Sequence, residues 1–481
     1  MFLLYLKYLL VYLSSYSVLG QNPAEALFKI SSRYINNEKN KTPKLWFYNK
    51  CWGGYSKLPI STFFNAKKLS MNEYRDTIKV SNSNHKEVHH MLNTYYTENL
   101  LELKDADILN VLNFKDCKIV EIKMKQRIHK CPKCGNETSR VHDYRIQDVK
   151  DIPVLGLKLI LRIHKRRHVC KVCGKKFFET VPFLPKYQRT TNRLWLYVLN
   201  ELSDTRSMKS IAKTTNLSIA SVARILDNVS YGISTLPEVL SIDEFKGNAG
   251  RKFQCILTDC KHRKVLDILP ERSVDALSGY FSAFSDRSNV KYVVMDMSSI
   301  FRSMAENCFP KAKIIADKYH VYRQVQWAFE DVRKQVQKNF AASRRKYFKR
   351  SRTLLLKGKE KLTPDELEQI SIMLSLSKPL AEAYYLLHEF REFTKATNRV
   401  EAKKLLSAWF MKVGSTDLTR FHKCVNTFAA WQDEILNAFD TGLTNGFTEG
   451  CNNKIKVIKR NAYGMRNFHR FRKRILHTMN R

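Results

Sequence analysis

Beyond Glu449 the chain has no acid at all. Ten lysines and arginines follow it, the last being Arg481, with no Asp or Glu among them. The shortage is general: 45 acidic residues face 84 basic ones over 481, a formal charge of +39. Such an imbalance gathers polyanions and points to nucleic acid as the partner, with a ribosomal or membrane-surface protein as the competing explanation. The basic residues are spread through segments with folded patterning, so the excess is not merely a basic tail. Internal repeats and low-complexity segments are also missing, which excludes a solenoid or a largely disordered chain. A hydrophobic content of 44% is enough for two to four domains with a real core.

A disulfide framework is lacking as well. Of the 11 cysteines, Cys51, Cys117, Cys255, Cys260, Cys308, Cys424 and Cys451 show no spacing pattern, as expected in a reducing compartment. The opening "MFLLYLKYLLVYLSSYSVLG" resembles a signal or anchor, yet no basic stretch precedes it and Lys7 interrupts it. A membrane-anchored or secreted protein would rest on residues 1–20 alone. Residues 1–95 are expected to be an N-terminal extension without a domain pattern, with Met71 and Met91 as alternative starts.

The remaining cysteines are paired. "CPKCG" and "CKVCGKKF" place Cys131, Cys134, Cys170 and Cys173 in two knuckle-like turns, each followed by a glycine that lets the backbone turn tightly. Four thiolates suffice for a closed tetrahedral site, so a structural Zn²⁺ is expected, with two β-hairpin arms filling the long spacer. A redox dithiol pair would need a thioredoxin-like βαβ context that is absent. His129, His142, His164 and His168 then read as surface or phosphate-facing groups.

"SMKSIAKTTNLSIASVARILDNV" (207–229) has the pattern of two short helices around a tight turn. Ile211, Ala212, Leu217, Val222, Ile225 and Leu226 would form the shared core, and Ser218 would cap the second helix. Ser221 and Arg224 would be exposed on it, as a major-groove reader requires; a plain helical hairpin fits the pattern too.

From 236 to 325 short apolar strands alternate with helices, an α/β pattern. Three of five strands end in aspartate: Asp243, Asp296 and Asp317. A lone strand-end Asp is ordinarily a loop residue or cap. Three on neighbouring strands, with an isolated Glu449, suit hard divalent cations, and two Mg²⁺ ions held by shared carboxylates can drive phosphodiester displacement. Residues 325–440 read as helical almost throughout, with Thr363, Pro364 and Glu366 marking one helix start. The basic run at 343–352 fits a solvated helix face or a phosphate contact. On a helix, Glu449, Asn453, Lys456 and Arg460 share one stripe and Phe447, Cys451, Ile455 and Ile458 the opposite one.

These residues carry a resemblance. "SIDEF", "VVMDMSS", "IADKYHV" and "TNGFTEGCNNKIKVIKRNAYGMRNF" resemble the catalytic core of insertion-sequence transposases of the ISL-three family. The cysteine module and the helix-turn-helix are similar to that family's N-terminal DNA-binding region. The resemblance covers roughly residues 100–478; the first hundred residues have no counterpart in it.

It implies a multidomain α/β protein: a zinc ribbon over 100–180, a helix-turn-helix over 186–232, and a ribonuclease-H-like core over 236–478 with an all-helical insertion at about 330–440. It implies an Asp-Asp-Glu triad, carried onto Asp243, Asp296 and Glu449, holding two Mg²⁺ ions, with Mn²⁺ as a substitute. Glu244 competes with Asp243 for the first place. Asp317 and His320 match an Asp-x-x-His element, which implies a supporting role near the scissile strand and not metal ligation. Lys454, Lys456, Lys459, Arg460 and the basic tail beyond them would hold the DNA backbone.

The implied activity is cleavage at terminal inverted repeats and strand transfer into target DNA. It would be carried out by a homodimer or larger synaptic complex in a prokaryotic cytoplasm, at the nucleoid. The alternative is a catalytically inactive DNA-binding regulator derived from such an enzyme.

Overall fold

The computed structural model describes residue 97 and residues 100–480, except 104 and 248–252. The expectations for residues 1–95 lie outside the described residues. No helix among those described is long and apolar enough to cross a membrane.

The first sheet contains β1 (Ala106–Asn113), β2 (Cys117–Met124), β5 (Val141–Val154), β6 (Leu157–Val169) and β7 (Lys176–Phe178); a small hairpin pairs β3 (His129–Lys130) with β4 (Glu137–Thr138). β5 and β6 form one long antiparallel hairpin rather than two arms, and it fills the spacer between the cysteine pairs. Its tip is Leu155–Gly156, both with positive φ (53° and 77°), the backbone that a two-residue primed turn needs. Val120, Ile122, Leu159, Leu161 and Ile163 alternate inward to make this sheet's core.

Three helices follow: α1 (Asn192–Leu202), α2 (Met208–Thr215) and α3 (Ile219–Asp227). Ser207 and Ser218 each accept a backbone N–H at the start of α2 and α3, and Asn216 takes the left-handed conformation between them (φ 57°). Ile211, Ala212, Val222, Ile225 and Leu226 are buried against Leu194, Val198 and Leu202 of α1, with Leu217 partly buried. The turn residues and the apolar spacing thus place two helices around a shared core, as the pattern predicts.

The second sheet runs β10 (Lys264–Leu269), β9 (Gln254–Asp259), β8 (Val239–Phe245), β11 (Tyr292–Met295), β12 (Lys313–Ala316). The first three strands are antiparallel; β8, β11 and β12 are parallel. Leu240, Ile242, Leu257, Val293 and Met295 pack on α4 (Val274–Ser282) and α5 (Ser299–Cys308) through Leu277, Phe281, Phe301 and Met304.

The opposite face meets α14 (Gly446–Asn461) and α15 (Phe468–Met479): Phe245, Ile256, Val265 and Ile268 bury against Cys451, Ile455, Ile458, Phe471 and Ile475. Between β12 and α14 lies a helical block: α6 (Lys318–Lys338), α7 (Ala342–Arg350), α8 (Arg352–Leu355), α9 (Pro364–Ser375), α10 (Lys378–Thr394), α11 (Arg399–Gly414), α12 (Thr419–Ala430) and α13 (Gln432–Thr441). Its core is aromatic, with Phe390, Phe393, Trp409, Phe421 and Phe428 buried together. The capping box at Thr363 and Glu366 is present. The block begins at Lys318, immediately after Asp317, rather than near residue 325.

Candidate functional site: a carboxylate cluster beside a braced DNA-binding module

Strand alternation decides where the aspartates go. On β8, Leu240 and Ile242 face α4 and α5, so Ser241, Asp243 and Phe245 face α14. On β11 and β12, Val294 and Ile315 face away from α4 and α5, so Asp296 and Asp317, each two residues on, follow them. Register does the rest. Val294 pairs with Ser241 and Met295 with Ala316, which sets Asp243, Asp296 and Asp317 level at the carboxyl ends of three adjacent strands.

Asp243, Asp296 and His320 each place a ligand atom within 4.8 Å of the others. His320 Nδ1 lies 2.8 Å from Asp317 Oδ2, and a proton there leaves Nε2 with its lone pair. Burial and the charge of Asp296 push Asp243 up to about 6. Burial likewise raises Asp296, reinforced by Glu244 and Asp317 and opposed by His320. Asp296 Oδ1 is buried with no hydrogen-bond partner. Clustered carboxylates with orphaned oxygens are what a hard cation would satisfy. Glu244, the competitor for Asp243, is instead paired with Arg272.

Glu449 is half-buried on the first turn of α14 and is not among the three groups that cluster most tightly. Its neighbours on that face do reach the site. Asn445 N donates to Asp317 Oδ1 (3.2 Å), and Asn452 Nδ2 donates to Asp243 Oδ2 (2.8 Å). Residues 445, 449 and 452 lie one and two turns apart along one helix face, so Glu449 sits between a backbone N–H that donates to Asp317 and a side chain that donates to Asp243. The Asn445 amide and Asn452 Oδ1 are buried without partners. Sequence reading missed both asparagines; the doubled Asn in "EGCNNK" was the only trace. It placed Asn453 on the Glu449 stripe, but Asn453, Lys456 and Arg460 are exposed to solvent and Asn452 turns inward.

The basic residues divide. Lys456 and Arg460 are exposed. Lys454 Nζ donates to Thr478 O (2.9 Å) and Lys459 Nζ to Lys246 O (2.9 Å), so these two brace the fold. The tail expected to hold DNA is largely turned inward. Arg470 pairs with Asp227 and Arg472 with Asp267, while Lys473 donates to Asp227 O. Buried Arg474 donates to the carbonyls of Leu202, Asp204 (2.6 Å) and Arg206 (2.7 Å). These contacts lock α15, and with it the carboxylate sheet, to the helix-turn-helix. On α3, Arg224 is exposed; Ser221 is half-buried, and its hydroxyl lies 2.9 Å from that of Ser218.

The four cysteine sulfurs lie within 4.8 Å of one another, with 3.5 Å between Cys131 and Cys173 and between Cys134 and Cys170. Tetrahedral Zn–S bonds of about 2.3 Å put sulfurs roughly 3.8 Å apart, so the set fits one zinc. The two knuckles match: Gly135 and Gly174 have φ of 74° and 67°, and each donates its N–H to the carbonyl of the first cysteine. His168, expected at the surface, is fully buried beside His129 (4.6 Å between rings) and Phe177. It is out of phase with inward-facing Leu159, Leu161 and Ile163 and shares its phase with buried Arg166, whose guanidinium pairs with buried Glu179.

A recognition module cross-braced by arginines to a sheet edge lined with carboxylates defines a DNA-processing enzyme. Three family models match in tandem: a zinc-finger of transposase IS204/IS1001/IS1096/IS1165 over residues 127–173, a helix-turn-helix domain of transposase family ISL3 over 179–230, and a transposase over 240–475. The transposase for insertion sequence element IS1001 of Bordetella parapertussis is 25% identical over 359 residues, which is 72% of this chain and 88% of that protein. A Lactococcus lactis subsp. lactis protein named ATP-dependent protease is 32% identical over 111 residues, 23% of this chain and 34% of that one. The chain belongs to the ISL3 family of transposases: it is a DNA transposase with a zinc ribbon and a DNA-binding helix-turn-helix.

Proposed function

We propose that Asp243, Asp296 and Glu449 hold divalent cations for strand cleavage and strand transfer at the ends of an insertion sequence. The observation that carries this reading is the level placement of Asp243 and Asp296 on adjacent parallel strands, with Asp296 Oδ1 buried and unpartnered. The mixed five-stranded sheet flanked by helices supports a ribonuclease-H-like core, and the helical block between β12 and α14 supports the insertion before Glu449.

Bound Mg²⁺, or Mn²⁺ in its place, would activate the attacking oxygen and stabilise the leaving one. Asp243 and Asp296 supply hard oxygen ligands from the sheet, and Glu449 supplies one from the helix above. Asp317 orients His320 and fixes which ring nitrogen carries the proton. Lys456 and Arg460, exposed farther along α14, take the phosphates flanking the scissile one. The helix-turn-helix, through Arg224 and Ser221, and the zinc ribbon recognise the terminal repeats. Two ends joined in one reaction call for a homodimer or a larger synaptic assembly.

The test is cleavage of end-containing DNA by Asp296→Ala and Glu449→Ala, with Mg²⁺ binding followed by calorimetry. Both variants should bind DNA as the wild type does, lose most of their Mg²⁺ affinity and fail to cut. Undiminished cleavage by either would remove that residue from the metal site.

A further inference from the structure

One surface lies outside every role assigned so far. The core face of α6 is Val321, Val325, Ala328, Phe329 and Val332. Two positions out of phase with it, Tyr319, Arg323 and Trp327 line the opposite side at i, i+4 and i+8, about 6 Å apart along the axis. Tyr319 is 45% exposed and Trp327 57%. That is an unusual place for two large rings, because an isolated helix face gains nothing from leaving them in water. Arg323 lies between them, its guanidinium 5.2 Å from the Tyr319 ring and 4.9 Å from that of Trp327. Its Nε is buried without a hydrogen-bond partner. The stripe is continuous with the carboxylate cluster, since the Tyr319 ring packs edge-on against His320 at 5.7 Å.

We infer that Tyr319, Arg323 and Trp327 form a stacking ladder for unpaired bases of the DNA strand leaving the carboxylate site. The inference rests on the cleavage reading above and deepens it by naming the state of the DNA. Aromatic faces joined by a guanidinium recognise π surfaces and a phosphate together, which is the chemistry of single-stranded nucleic acid. A duplex hides its base faces in its own stack and would engage only the arginine. Spacing of about 6 Å per step suits a stretched single strand better than stacked B-form bases. The basic chain supplies the complementary charge, and the ladder starts in contact with His320, where a cut strand would emerge.

The experiment uses full-length zinc-loaded protein without Mg²⁺, so that binding is read apart from chemistry. Affinity for a short fluorescent single-stranded oligonucleotide is compared with that for the same sequence as duplex. Trp327→Ala should weaken single-strand binding roughly ten-fold and leave duplex binding within two-fold, while Trp327→Phe should restore most of the loss. Tyr319→Ala should behave like Trp327→Ala. Unchanged melting temperatures confirm that these exposed substitutions leave the fold intact. Equal loss on single strand and duplex would make the stripe part of a duplex interface and overturn the ladder; no loss on either would overturn it too.

A second arm adds Mg²⁺ and compares cleavage of a fully paired end with one already mismatched at the cut site. Trp327→Ala should slow the paired substrate more than the opened one, and equal slowing would overturn the ladder. A wild-type protein that binds single strands through Trp327 yet never cuts would instead sink the cleavage reading, so the two failures are distinct.

Discussion

Asn452 Nδ2 donates to Asp243 Oδ2 across 2.8 Å, and this bond ties α14 to β8 over 209 residues of sequence. The same amide reaches the carbonyl of Glu244 at 3.4 Å, while its Oδ1 is buried and unpartnered. Asn452 therefore sets the orientation of a proposed metal ligand and the height of the helix that carries Glu449. Partners of this kind change metal affinity or activity by about 10- to 100-fold when removed. Asn452→Ala should lower Mg²⁺-dependent cleavage by that order and weaken Mg²⁺ binding, with DNA affinity unchanged. Cleavage at the wild-type rate would reduce Asn452 to a structural tie.

Asp243 makes the metal-free protein sensitive to pH. Its carboxyl is pushed up to about 6 by burial and by Asp296, against about 3.9 in an unfolded chain. The folded state then holds the proton more tightly, so this contribution to stability is fully present below about pH 4 and is lost as pH rises through 6. Two units correspond to at most about 3 kcal/mol. Asp243→Asn should therefore stabilise the protein at pH 7.5 without Mg²⁺ and flatten the pH dependence between 4 and 6. Mg²⁺ should raise the melting temperature of the wild type at pH 7.5 more than at pH 5, and should do little for the variant. Thermal melts with zinc retained and Mg²⁺ varied would show this; identical pH profiles for the two proteins would contradict it.

The cysteine cluster gives a separable prediction. Hydrogen bonds from the backbone N–H and side chain of Asn136 draw Cys134 down to about 6. Cys173 is pushed up to about 11 by burial and the neighbouring thiols, although the Lys175 N–H favours its thiolate. Four thiols in this space cannot all ionise without a cation, so zinc and the thiolate state are linked. Cys170→Ser should reduce bound zinc from one per chain to near none. It should also abolish binding to end DNA, while the melting transition of the second sheet persists. Metal analysis with binding assays checks this, and normal end binding by the zinc-free variant would separate the ribbon from recognition.

Much of this was legible beforehand because it is local. The alternation of "VLSIDEF", the turn glycines after Cys134 and Cys173, and the serine caps at 207 and 218 each report on a few neighbouring residues, and the structure follows them. The helical block was legible from its capping box and apolar spacing. What escaped depends on distant partners. Nothing near Asn452 announces Asp243. The arginines of α15 looked like a DNA-binding tail because a charged side chain does not disclose whether it meets a phosphate or a buried carbonyl. Likewise, nothing local announces that Lys454 and Lys459 donate to the carbonyls of Thr478 and Lys246. His168 read as a surface or phosphate-facing group because four cysteines already saturate a zinc, but it is buried against His129 and Phe177, partners distant in sequence or across the sheet.

That division among the basic residues can be measured. Lys456 and Arg460 are exposed on α14, and phosphate contact is their expected use. Arg474 is 3% exposed and donates to three carbonyls at the junction of α1, α2 and α15. Removing two phosphate contacts should lower the slope of log affinity against log salt by about 2, with no change in stability. Lys456→Ala/Arg460→Ala should show that signature. Arg474→Ala removes the guanidinium donor from the buried Leu202 carbonyl and from the part-buried carbonyls of Asp204 and Arg206, a cost of about 1–3 kcal/mol. It should lower the melting temperature while leaving the salt slope of the folded protein intact. Salt-titrated DNA binding and thermal denaturation, run on both variants, separate the two roles. If Arg474→Ala changes the slope and leaves stability untouched, the arginine brace is wrong and α15 belongs to the DNA surface after all.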